Sequence, residues 1–76
     1  MYPNSMYMYP NGIKVHREKR GMSQKELADV LGIKRELLSY YENGSRGPAS
    51  TVWLNMAEVL GVEVAELLKP VTESPA

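Results

Sequence analysis

Cysteine is absent from these 76 residues, which excludes disulfide staples and thiolate metal ligands and gives no sign of an oxidising compartment. Histidine is nearly absent too. His16 stands alone, so no metal site can be assembled around it, and a partly buried packing role is expected. With no phosphate-binding glycine loop either, little is left from which to build a catalytic centre; no enzyme activity and no cofactor are expected. The longest apolar runs are only a few residues, too short for a membrane span or a signal-peptide core. A soluble cytoplasmic protein without a membrane partner is the expectation. No segment alternates with period two for long enough to make a strand. Net charge is zero.

What is present fits one small globular domain: 43% hydrophobic and 24% charged residues, close to the size where a single core becomes marginal. Five helical segments can be marked off. "NGIKVHREKRG" is a short helix with Gly21 in the C′ position. "SQKELADVLG" carries Ser23 and Glu26 at capping-box spacing, then Leu27, Ala28, Val30 and Leu31 at helical spacing before Gly32. "KRELLSYYENG" restarts after Gly32-Ile33. "SRGP" reads as a loop. "STVWLNMAEVLG" repeats Val52, Trp53, Met56, Val59 and Leu60 at three to four residues, with Ser50 as its expected cap and Trp53 in the core. "VEVAELLKP" adds a last turn or two before Pro70. The predicted fold is all-α, a compact five-helix bundle.

The zero net charge hides an asymmetry. Residues 1–48 hold eight Lys/Arg against five acids, whereas residues 49–76 hold Lys69 against Glu58, Glu63, Glu66 and Glu73. A chain divided in this way can turn one face to phosphate and keep the other for water or a partner.

The most informative unit is "QKELADVLGIKRELLSYYEN", residues 24–43. Leu27 and Leu31 share one helix face, which Ile33, Leu38 and Tyr41 can meet from the turn and the next helix. Ala28 is small where two helices cross steeply, and Gly32 stands where the chain must reverse with φ > 0. This is the spacing a helix-turn-helix needs. Together with "YENG", "SRGP" and "MAEVLGVEVAELL", it resembles the lambda-repressor-like helix-turn-helix of the Xre/Cro family over residues 9–69.

The resemblance implies a fold in which a second, recognition helix (about residues 34–43) enters the DNA major groove, and it assigns roles. Gln24 matches the glutamine that binds phosphate and braces the recognition helix; Lys25 is a solvated neighbour within reach of the backbone. Lys34, Arg35, Glu36 and Tyr40 fall at base-reading positions. Arg35 is the leading candidate because its planar fork can donate twice to guanine. Glu36 either accepts from a cytosine amino group or is simply an exposed acid near a helix start. Tyr40 points outward with Glu36, within reach of thymine methyl, sugar or phosphate; Ser39 lies on the same helix, and Leu37 at the edge between its two faces. Asn43, Ser45 and Arg46 fall in a loop that follows the sugar-phosphate backbone. Arg17 and Glu42 match an internal salt bridge, so Arg17 is expected to be structural. Lys34 departs from the usual Ser/Thr at the recognition helix N-cap, forgoing about 1 kcal/mol of capping while placing a cation beside DNA. Glu63 replaces a usual Ser or Thr at the start of helix 5.

One recognition helix buries too little for tight selective binding, so a homodimer on a pseudo-palindromic site is expected, with contacts from Val62, Val64, Leu67 and Leu68. The implied function is sequence-specific double-stranded DNA binding by a small dimeric repressor, nucleoid-associated through that binding. The alternative is an antitoxin-type module that masks a protein partner, such as a toxin, through its acidic C-terminal face. At the start of the chain, "MYPNSMYMYPNG" repeats Tyr-Pro-Asn. The second copy is expected to open helix 1, with Tyr9 four residues before Ile13 and Pro10 at N1. Residues 1–8 and 70–76 are expected to be flexible tails, the former without Lys or Arg to hold phosphate.

Overall fold

The computed structural model describes residues 11–69 and contains five α-helices: α1 (Ile13–Lys19), α2 (Gln24–Leu31), α3 (Arg35–Glu42), α4 (Ser50–Leu60) and α5 (Val64–Leu68). No strand occurs among the described residues. The expected tails, Tyr9 and Pro10 lie outside them.

Each helix contributes at least one residue to a single core. Ile13, Leu27, Leu38, Met56 and Leu67 are fully enclosed, one from each helix, and Ala28, Tyr41, Ala57 and Leu60 complete the buried set. Leu31, Ile33, Leu37, Val52, Trp53, Val59, Val62 and Val64 pack around it. The apolar periodicity of the sequence therefore becomes inward faces, with one exception. Val30 is 59% exposed, because the stripe of α2 is centred on Leu27, Ala28 and Leu31 and a helical period carries Val30 off its edge.

The helix-turn-helix corner follows from local chemistry. Ser23 Oγ accepts from the Glu26 N–H at 3.0 Å while Glu26 Oε1 accepts from the Ser23 N–H at 2.8 Å, a complete capping box at the start of α2. Gly32 ends α2 with φ 74°, and the Ile33 N–H reaches back to the Ala28 carbonyl at 3.0 Å. Ala28 is 1% exposed, which lets α2 and α3 come close.

Two helix starts differ from the sequence expectation. The cap of α1 is Gly12 and its first residue Ile13, so Pro10 does not stand at N1. Asn11 organises this end: its Oδ1 accepts from the Ile13 N–H at 3.0 Å and its Nδ2 donates to the Tyr41 carbonyl at 2.8 Å. The Gly12 N–H adds a bond to the Leu67 carbonyl at 2.8 Å, tying α1 to α5. Ser50 is the first helical residue of α4 and not its cap. Ala49 takes the extended cap conformation, its carbonyl accepting from Val52 and Trp53, and no side chain caps the helix.

A third difference concerns the expected dimer surface. Leu67 is fully buried as the core residue of α5, so it cannot meet a second chain. Leu68, its neighbour, is 50% exposed, and Val62 and Val64 are half-buried. The cause is the period of a five-residue helix: only one of two adjacent leucines can face inward.

Candidate nucleic-acid interface

The recognition helix α3 has two sharply different faces. Leu38 and Tyr41 are buried, while Lys34, Arg35, Glu36 and Tyr40 are exposed and Leu37 is half-buried at the boundary. Lys34 takes the extended N-cap conformation and its side chain makes no cap bond. Lys34 and Arg35 thus set two cations against the positive end of the helix dipole, relieved only by Glu36 in the first turn. Charge so placed is unfavourable in the free protein and becomes favourable beside phosphate.

The inner face is held by a polar network that joins three helices. Arg17 Nε donates to Glu42 Oε2 at 2.6 Å and Nη2 to Oε1 at 3.2 Å. Both side chains are buried, 8% and 4% exposed. Arg17 Nη1 donates to the Met22 carbonyl at 2.8 Å. Gln24 Nε2 donates to Glu42 Oε1 at 3.0 Å, and Gln24 Oε1 accepts from Arg35 Nη1 at 3.3 Å. The chain of contacts runs from the buried ion pair through Gln24 to the first residue of α3. Both ends of the Gln24 amide are engaged, so bracing of the recognition helix is visible in its bonds.

The C-terminal end of α3 leads into an ordered turn. Asn43 Oδ1 accepts from the Ser45 N–H at 2.9 Å and from the Ser45 hydroxyl. The Tyr40 carbonyl accepts from the N–H groups of Ser45 at 3.0 Å and Arg46 at 3.3 Å. These bonds bring the Arg46 guanidinium over the Tyr40 ring, 5.4 Å from its centre, a cation–π contact at an exposed site. Tyr40 and Arg46, read from sequence as separate contacts, form one unit.

Not every candidate residue joins these groups. Lys25 pairs with Asp29 at 2.9 Å, and both are well exposed, so the pair stabilises little and exchanges readily for phosphate. Glu36 stands free of any printed pairing with Arg35, whose bond goes to Gln24. Ser39 is half-buried, and with Asn43, Gln24, Glu42 and Lys14 it lines an open cleft of about 330 Å³ between α1, α2 and α3. Sequence reading passed over Lys14. Its one signal is the spacing of one helical turn to Arg17, which places both on the same side of α1. Asn11 was missed as well, since a cap just outside a short helix has no periodicity to mark it.

His16 is half-buried, with its Nε2 enclosed and without a partner. No group of acids and histidines suited to a metal ion occurs among the described residues, and none of their helices is long and apolar enough to cross a membrane.

Residues 13–67 match the helix-turn-helix family. The chain belongs to the lambda-repressor-like helix-turn-helix family. The relatives of this family member are transcriptional regulators, not enzymes. It is 36% identical over 62 residues to the uncharacterized HTH-type transcriptional regulator YqaE of Bacillus subtilis, matching 82% of this chain and 53% of that one. It is 35% identical over 65 residues to the uncharacterized HTH-type transcriptional regulator y4dJ of Sinorhizobium fredii, covering 86% and 83% of the two chains. The chain thus spans about half the length of its Bacillus relative and most of that from Sinorhizobium. Among solved structures, the hypothetical transcription factor NHTF from Neisseria superimposes with a TM-score of 0.71 at 34% identity, over 78% of this chain and 66% of that one. The restriction-modification controller protein C.AhdI from Aeromonas hydrophila gives 0.67 at 30% identity, over 75% and 85%.

Proposed function

We propose that this helix-turn-helix protein is a sequence-specific transcriptional regulator that lays α3 in the major groove of double-stranded DNA. The observation that carries the reading is the division of α3: an inner face anchored by Leu38, Tyr41 and the Arg17–Glu42 pair, and an outer face of exposed Lys34, Arg35, Glu36 and Tyr40. A rigidly seated helix with mixed donors and acceptors on its free side is what base readout requires. Arg35 serves as the leading base contact, with Lys34, Glu36 and Tyr40 beside it. Gln24, Lys25, Ser39, Asn43, Ser45 and Arg46 serve backbone contacts that fix register. Relatives named as HTH-type transcriptional regulators support the same reading.

The regulator acts as a two-fold homodimer and represses by occupying a pseudo-palindromic operator. Half-exposed Leu68, with Val62 and Val64 beside it, supplies the apolar contact between subunits. The test is genome-wide mapping of bound sites, followed by gel-shift on the sites found over a salt series. Binding should weaken steeply with salt, as expected for about three to five phosphate contacts per subunit. Affinity indifferent to both salt and sequence would reject the reading.

The antitoxin-type reading draws on the other half of the chain, where exposed Leu54 and Leu68 stand among exposed Glu58, Glu63 and Glu66. A stable complex with a toxin encoded beside this gene, together with activity independent of any operator, would favour it.

A further inference from the structure

We infer that the cleft where α1, α2 and α3 meet seats one phosphate of the DNA backbone, with Lys14 supplying its charge. The inference rests on the DNA-binding reading and adds a residue of α1 to it. The cleft is lined by Lys14, Gln24, Ser39, Glu42 and Asn43, and the bonding state of these five residues decides what it can hold.

Glu42 is the one acid of the lining, and its charge is already answered. Oε2 accepts from Arg17 Nε, and Oε1 from Arg17 Nη2 and Gln24 Nε2. Gln24 has no amide group left over, since its Oε1 takes the bond from Arg35. The other three residues are donors without acceptors. Lys14 is exposed and makes no ion pair among the described residues. The Ser39 hydroxyl makes no hydrogen bond within the described residues. Asn43 uses its Oδ1 to accept from the Ser45 N–H, which fixes the amide orientation and leaves Nδ2 as a free donor.

One ammonium, one hydroxyl and one amide NH2 around a cleft whose only carboxylate is neutralised call for a ligand rich in acceptor oxygens. A phosphodiester is such a ligand. Its place follows from Gln24, which lines the cleft and also holds Arg35. A strand whose phosphate sits in the cleft therefore passes the residue best suited to read bases. The walls need no rearrangement, because the Arg17–Glu42 pair already locks α1 to α3.

The experiment compares wild type, Lys14→Gln, Lys14→Arg and Lys19→Gln as full chains, by fluorescence anisotropy with operator and random duplexes over a salt series. Lys19 is also exposed on α1 but does not line the cleft. Lys14→Gln should weaken both duplexes together and reduce the slope of log affinity against log salt by about 0.9, the share of one phosphate contact. Lys14→Arg should keep the slope, and Lys19→Gln should keep it more nearly than Lys14→Gln. Wild type that binds no DNA would reject the underlying reading. Wild type that binds, with Lys14→Gln showing the same slope, would overturn the cleft while leaving that reading intact. Inorganic phosphate titrated into the free protein, followed by NMR, tests the other source of the same chemistry. Saturation of the Ser39 and Asn43 shifts at micromolar phosphate would assign the cleft to a small phosphorylated ligand and overturn the DNA assignment; shifts that move only at millimolar phosphate or above support it.

Discussion

Arg17 closes on Glu42 through two parallel N–H bonds, Nε to Oε2 at 2.6 Å and Nη2 to Oε1 at 3.2 Å, with both side chains all but sealed from water. A buried pair of this kind gains little over a well-packed apolar pair, because desolvation offsets the Coulomb attraction. Its consequence is specificity of arrangement: α1 can meet the end of α3 in one register only. Removing one partner leaves the other charge buried alone. Arg17→Ala should therefore destabilise the fold by about 3–5 kcal/mol, a large part of the roughly 5–15 kcal/mol that holds a domain together. Urea unfolding followed by circular dichroism would measure it. An unchanged midpoint combined with weaker DNA binding would move Arg17 to the interface.

Arg35 and Gln24 should act as a unit on DNA. Arg35→Ala should relax base preference and weaken specific binding by about 1–3 kcal/mol. Gln24→Ala removes the acceptor that holds the guanidinium at 3.3 Å, so its cost should shrink once Arg35 is gone. A double-mutant cycle on operator DNA should give a coupling of about 0.5–3 kcal/mol. Strict additivity would show that the contact in the free protein is given up on binding.

Gly32 and Gly61 offer a controlled comparison of backbone strain. Both have left-handed φ, 74° and 70°, at the ends of α2 and α4. A Cβ at Gly32 would meet nothing within 4 Å, whereas one at Gly61 would lie 3.0 Å from Arg20 Nη1. Gly32→Ala should cost about 1–2 kcal/mol from conformation alone. Gly61→Ala should cost that and more, since the Arg20 guanidinium must leave the end of α4, where a cation is favoured. Thermal unfolding of Gly61→Ala in an Arg20→Ala background checks the cause: the excess over Gly32→Ala should vanish.

The helix-turn-helix could be read from the chain because its signals are local. Ser23 and Glu26, the Leu27–Leu31 stripe and Gly32 each act within a turn or two of themselves, and each appears in the structure where its chemistry puts it. What could not be read depends on distant partners. Asn11 gains its role from the Tyr41 carbonyl, thirty residues away. Lys14 matters only because folding sets it beside Gln24, Ser39 and Asn43. Val30 has an apolar side chain at a helical interval, and nothing nearby in sequence reveals that the stripe of α2 ends before it. The Tyr40–Arg46 stack is intermediate: both residues were visible as candidates, but their contact needs the turn made by Asn43 and Ser45.

Leu67 and Leu68 separate folding from assembly in adjacent residues. Leu67 is fully buried and Leu68 is 50% exposed, although no feature of the sequence distinguishes them. Leu67→Ala should open a core cavity and destabilise the fold by about 2–5 kcal/mol, whatever the oligomeric state. Leu68→Glu should leave the monomer folded, because the new carboxylate stays in water. In a dimer packed through this surface it would bury an unpaired charge, which is strongly unfavourable. Analytical ultracentrifugation should therefore show Leu68→Glu as a monomer at concentrations where wild type is a dimer, with an unfolding curve of unchanged steepness. Operator affinity should fall with it, as each subunit then binds its half-site alone. If Leu68→Glu remains dimeric, the subunits meet through another surface, and exposed Leu54 on α4 becomes the next position to substitute.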